Sequence, residues 1–252
     1  MVQEAGREVQ RISLLDSLRG EWLKLPLGIM QDVGPAVQTM GGLLAITNRE
    51  TYVPIGDIAT RARLPASTVK KHLVTLDAKG WIDHQGRQQT RRGFLRRTAT
   101  IRITRRATEA MEPYGFLPWW ACCTIHKVGR LPWCCKAVLS IFMARVCSTW
   151  AGLKEVCEDD ENVFLANLEG ERFRFGLDYL ADQTGLSRDS VVSAKQSLAR
   201  VGIIKWIGDH PRRGHDTDTH ILFPNGCFEV VVTPASAGRC WLDFARGSKS
   251  GL

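Results

Sequence analysis

Five arginines, Arg87, Arg91, Arg92, Arg96 and Arg97, crowd into the run GRQQTRRGFLRRTATIRIT at 86–104, which also holds Arg102 and no acid. A guanidinium is always charged and presents a planar fork of donors that matches phosphate oxygens. A cluster of them without a compensating carboxylate attracts a polyanion and releases its counterions. With Arg105 and Arg106, the arginines between 87 and 106 equal the chain's formal net charge of +8, so the basic excess is local. Phosphate-rich partners suit this segment better than a uniformly solvated surface does.

Other residues with chemical potential lack the spacing that chemistry needs. His210, His215, Asp216, Asp218 and His220 fall in one polar stretch without regular ligand spacing. Cys122, Cys123, Cys134 and Cys135 sit in adjacent pairs rather than as CxxC, with His126 between the pairs, and they lie in apolar sequence. Reduced thiols in a core are expected there, and no metal or other cofactor. There is no GxxxxGK[ST], GxSxG or HExxH. The only tyrosines, Tyr52, Tyr114 and Tyr179, are not matched by an HxH-type metal motif, as a nicking enzyme would require. The expectation is a protein that is not an enzyme. Trp119, Trp120 and Trp133 are expected to pack in the core rather than to form a stacking platform for single strands. No run of about 18 apolar residues suggests a membrane span. The first residues carry early acids and no apolar signal core, so a cytoplasmic location is expected.

The elements that must position the arginines occur twice. IATRARLPASTVKKHLVTLDAKGWI (58–82) aligns without a gap on LADQTGLSRDSVVSAKQSLARVGII (180–204). Upstream, WLKLPLGIMQDVGPAVQTMGGLLAI resembles GFLPWWACCTIHKVGRLPWCCKAVLSIF: each has a Leu-Pro, an apolar stretch, a Val-Gly and a strongly apolar run. The second copy carries an insertion around 151–171, which holds an acidic cluster. In each copy the pattern predicts a buried helix (36–47; 132–149), then a short extended piece at Tyr52-Val53 or Phe173–Phe175. A short helix (55–62; 177–184), a tight turn and a longer helix (66–79; 188–201) follow. Val69, Leu73 and Leu76 lay one apolar stripe along the long helix. Gly80 and Gly202 stop the two long helices, because glycine takes the left-handed conformation freely. Strands begin at Trp81 and Ile203 and return at 99–104 and 219–224. Lys195 replaces Leu73 in the second copy, with Ala194 and Leu198 left to carry the stripe. Ser187 is a side-chain N-cap where the first copy has Pro65. Residues 9–23 read as a short amphipathic helix.

This order of elements, and the LPASTVKKHLVTLDAKGWI pattern above all, resembles the winged helix-turn-helix family. The resemblance implies a fold that is mainly α with small antiparallel β wings, an α+β fold of two winged-helix domains in tandem. It divides the chain into an extension (1–19), a first domain (20–108), a second domain (109–235) containing the insertion, and a tail (236–252). It implies that the long helix enters the major groove of duplex DNA and that the wing lies on the backbone or in the minor groove. Carried over by position, the DNA-binding residues of the first copy are Arg61, Arg63, Ser67, Thr68, Lys70 and Lys71, with the wing residues Arg87, Arg91, Arg92, Arg96 and Arg97. Those of the second are Arg188, Ser190 and Ser193, with Arg212 and Arg213 in a less basic wing. Asp189 is expected to serve the start of its helix. Two unlike winged helices, each led by a Leu-Pro segment, resemble plasmid or phage replication initiators. These bind repeated origin sites and recruit replication machinery. A transcriptional repressor acting by site occupancy uses the same groove chemistry, and a scaffold that binds proteins is the reading from another class. The second copy is also a candidate surface for homodimerisation.

Overall fold

The computed structural model describes residues 8–13, 16–17, 20–47, 50–51, 54–85, 89–90, 93–94, 100–125, 128–156, 172–207, 217–225 and 227–232. Helices and small antiparallel sheets alternate along the chain, giving an α+β fold. Among the described residues no helix is long and apolar enough to cross a membrane.

The chain opens with β1 (Glu8–Ser13) and β2 (Trp22–Pro26). The helix expected over 9–23 is therefore confined to its middle: the ends of that segment are strand, and the described Asp16 and Ser17 between them are helical. Val9 and Ile12 fit a helical spacing, but β1 is captured by a strand from the far end of the chain, and that ladder satisfies its backbone. Next come α1 (Leu27–Val33), a 3-10 turn (Gly34–Ala36), α2 (Val37–Leu44) and β3 (Glu50–Thr51). The paired helices α3 (Ile55–Ala62) and α4 (Ala66–Ala78) lead to β4 (Ile82–Gln85). A small hairpin of β5 (Gln89–Thr90) and β6 (Gly93–Phe94) precedes β7 (Thr100–Ile103) and the short α5 (Arg105–Glu109).

The second half repeats this order in part, with a 3-10 turn and a β-hairpin in place of α1. It has β8 (Tyr114–Pro118), a 3-10 turn (Trp119–Cys122), β9 (Thr124–Ile125), β10 (Gly129–Arg130) and the long α6 (Trp133–Val156). Then follow β11 (Arg172–Gly176), α7 (Leu177–Thr184), α8 (Arg188–Arg200), β12 (Ile204–Ile207), β13 (Thr217–Leu222) and β14 (Cys227–Val232). Each repeat has its own three-stranded antiparallel sheet of matching order, β3-β7-β4 in the first and β11-β13-β12 in the second. The β1 strand, in the segment read as an extension, pairs with β14 of the second repeat.

The local reasons are those of the sequence pattern. Val69, Leu73 and Leu76 on α4, and Val191, Ala194 and Leu198 on α8, are completely buried. Gly80 and Gly202 hold φ of 72° and 77°, so both long helices end in the left-handed region. Ser187 accepts from the Ser190 backbone N–H at 3.2 Å, and Pro65 begins α4 without a side-chain cap. Lys195 is fully buried, and its ammonium lies 4.3 Å from the Trp206 ring centre, a cation–π contact.

The two repeats meet through the Leu-Pro strands. Aligned on Leu25-Pro26 and Leu117-Pro118, Trp22 corresponds to Tyr114 and Lys24 to Phe116. In the β2–β8 ribbon Trp22 faces Pro118, Pro26 faces Tyr114 and Lys24 faces its own counterpart Phe116. Equivalent residues are thus exchanged across the ribbon, which gives the junction local two-fold character. Helix α2 packs on β2 and α6 on β8. A Cβ on Gly41 would lie 2.6 Å from the Lys24 carbonyl oxygen, and one on Gly115 would lie 2.7 Å from Ser140 Oγ.

Candidate nucleic-acid interface

Burying the stripe of α4 turns its other face to solvent. That face carries Ser67, Lys70, Lys71, Val74 and Thr75, with Thr68 half-buried. Neither Lys70 nor Lys71 makes an ion pair or a side-chain hydrogen bond among the described residues, so both charges are available to a partner. Val74 is 65% exposed, an apolar side chain outside the stripe on an otherwise polar face. Apolar groups at such positions suit the methyl of thymine. His72 turns the other way: its Nδ1 lies 2.8 Å from the hydroxyl of buried Thr39, and burial holds its pKa below the ordinary value. It is a neutral anchor rather than a phosphate contact.

The far end of α4 is held by a clasp. The Asp32 carboxylate on α1 accepts from Lys79 Nζ at 3.0 Å and from Trp81 Nε1 at 2.7 Å. Over the ring of Trp81, the Arg106 guanidinium lies 4.0 Å from the ring centre and donates to the Lys79 carbonyl at 2.8 Å. The Lys79 bond, then the Trp81 bond, hold the Asp32 carboxyl below its ordinary pKa, against a smaller opposing effect of partial desolvation. The clasp ties the basic helix to α1 and to the segment after β7. Of the arginines between 87 and 106, the three described ones are all engaged. Arg102 pairs with Asp83 at 2.8 Å, Arg105 with Glu109 at 2.8 Å, and Arg106 closes the clasp.

The β5–β6 hairpin pairs Thr90 with Gly93, and the two residues between them in the chain are Arg91 and Arg92. Arg87, Arg91, Arg92, Arg96 and Arg97 themselves lie outside the described residues, as do Arg212 and Arg213. Arg61 is exposed in the last turn of α3, without an ion pair among the described residues. Arg63 is placed differently. It adopts the left-handed conformation (φ 53°) in the turn before α4, and its side chain, 18% exposed, pairs with Glu21 at 3.2 Å. It is committed inside the fold.

In the second repeat the polar residues pair with one another at the surface. Arg188 forms a two-pronged pair with Asp178, and Ser190 Oγ lies 2.9 Å from Ser187 Oγ. Ser193 is exposed, and Asp189 sits in the first turn of α8. Where α4 presents Lys70 and Lys71, α8 has Val192 and Ser193. His220, grouped with the polar stretch by sequence, is instead fully buried on β13, with Phe142 and Phe175 rings at 4.9 and 6.2 Å. Strand alternation turns it inward, away from any loop cluster. Trp119 and Trp120 are buried, and Trp120 packs on Phe223 and Phe228 while its Nε1 donates to Ser17 Oγ at 2.8 Å. Of the thiols, Cys135 and Cys147 are each pushed up to about 12, chiefly by burial.

The residues missed from sequence are Val74 and the clasp. Val74 was findable, since it is an aliphatic residue off the stripe. Asp32 was not, because its partners lie more than forty residues downstream. Compared with known proteins, the chain matches no family model, no curated protein and no solved structure.

Proposed function

We propose that the chain is a sequence-specific double-stranded DNA-binding protein built from two winged-helix units, and that its role is that of a replication-initiator-type origin binder. The observation that carries the reading is the exposed face of α4. Two uncommitted lysines and a solvent-facing valine stand on the second helix of a helix-turn-helix. That helix is followed by a hairpin whose strands are joined through Arg91-Arg92. Helix side chains supply base contacts and arginines supply phosphate contacts, the division of labour expected of a groove reader. The first repeat is the stronger reader. The internally satisfied helix of the second supports a contribution to assembly, including a homodimer or contacts with replication machinery, more than to sequence reading.

Selection of bound duplexes from a random pool mixed with host DNA, at moderate salt, tests this. Tandem direct repeats are the expected outcome. A single palindrome near a promoter would instead establish a dimeric transcriptional regulator. No enrichment, with binding gone by about 200 mM salt, would reduce the interaction to nonspecific phosphate attraction. The protein-binding scaffold would then be the better reading.

A further inference from the structure

The contacts across the two-fold-like junction are unequal. On one side, α1 packs on the turn between α7 and α8. A Cβ on Gly185 (φ 68°) would meet the Gln31 carbonyl oxygen at 2.8 Å, so this contact is closed. On the other side, the counterpart of α1 is only the 3-10 turn Trp119–Cys122, and the counterpart of Gly185 is Arg63. A cleft of about 250 Å³ remains open there. Its walls come from both repeats: Trp22 and Leu23 from the first, Leu117 and Trp119 from the second, with Arg61 and Arg63 at the end of α3.

The cleft's chemistry is specific. Its walls are largely apolar and include two indoles. It holds two guanidiniums and one carboxylate, Glu21, which is already paired with Arg63. That leaves Arg61 at the lining without an ion pair among the described residues. Arg63 occupies a left-handed backbone position that its counterpart Gly185 adopts without strain. An arginine is about 1 kcal/mol or more worse than glycine in that conformation, which here ends the helix Ile55–Ala62.

We propose that this cleft binds a small organic anion, with a flat apolar body against Trp22 and Trp119 and its carboxylate or phosphate on Arg61. Both repeats line the site, so an occupant favours the arrangement in which they form it. Arg61, which the family resemblance gives to DNA, serves the anion instead.

The probe is 4-fluorobenzoate, followed by fluorine NMR line broadening with the full chain, and neutral 4-fluorobenzamide is the control. Benzoate is expected to broaden strongly and the amide weakly. Arg61→Ala should weaken benzoate binding by about tenfold or more, as loss of a charge-assisted contact does, and Arg61→Lys should restore part of it. Ala45→Trp, placing bulk in the lining, should abolish the broadening; because Ala45 and Arg61 are exposed, circular dichroism should show both variants folded. Equal broadening by benzoate and benzamide, or unchanged binding in Arg61→Ala, overturns the proposal. Simple competitive displacement by a short DNA duplex also overturns it, assigning the cleft to a phosphate-backbone contact.

Discussion

Replacing Asp32 tests the clasp at the end of the basic helix. Trp81 is only 4% exposed, so Asp32→Ala leaves its indole N–H without the 2.7 Å acceptor. An orphaned buried donor costs about 1–3 kcal/mol. The Lys79 pair is half-exposed, with side chains 50% and 30% accessible, and adds less than about 1 kcal/mol. The expected loss is about 2–3 kcal/mol, against about 1 kcal/mol for Asp32→Asn, whose amide oxygen still accepts from Trp81. Urea unfolding at pH 7 measures both through the midpoint, with the slope unchanged. The pH dependence has a definite sign. The folded carboxyl titrates below its ordinary 3.8, so its stabilisation is complete above that value and is lost as pH falls through the lower folded one. The gap between wild type and Asp32→Asn therefore narrows on acidification from about pH 4. Equal losses for the two variants, or a gap that widens in acid, would refute the assignment.

Gly185→Ala combines a left-handed backbone with a 2.8 Å approach to the Gln31 carbonyl oxygen. It should cost about 2–4 kcal/mol, read as a lowered melting temperature; a neutral result would mean the junction opens freely. Arg91→Ala with Arg92→Ala should weaken binding to every duplex and reduce the slope of log affinity against log salt by about 1–2. Unchanged affinity and slope in a salt titration would remove the hairpin from the interface. Lys71→Ala should cost about 1–3 kcal/mol and relax preference at one base position if it reads a base. Uniform weakening across a library of site variants would make it a phosphate contact.

The repeated motif was legible because its signals are local. The spacing of Val69, Leu73 and Leu76, the helix-ending Gly80 and Gly202, and the cap at Ser187 act within a few residues, and the helices fall where these signals put them. What was not legible depends on partners distant in the chain. Residues 8–13 become a strand because β14 pairs with them from the other end. Arg63 looks like a surface arginine until Glu21 is placed beside it, and Arg188, which does stay at the surface, carries a partner in Asp178. Exposure of a charged side chain can be read from helical phase, but whether that charge is already neutralised cannot. The lysines of α4 are left without an ion pair among the described residues, whereas Arg188 at the start of α8 has one.

The exchange of equivalent residues across the β2–β8 ribbon means the chain carries inside itself what is otherwise an association of two molecules. In a homodimer one mutation alters both halves at once, so an interface residue must suit two environments. Joining the halves in one chain removes that constraint, and it makes their pairing independent of protein concentration. Each half is then free to specialise. Arg63 and Gly185 hold the same backbone turn with unlike side chains, and Lys70 and Lys71 face solvent where Val192 and Ser193 stand opposite. Whatever such a molecule binds meets two unequal faces, so the two ends of the bound protein are distinguishable.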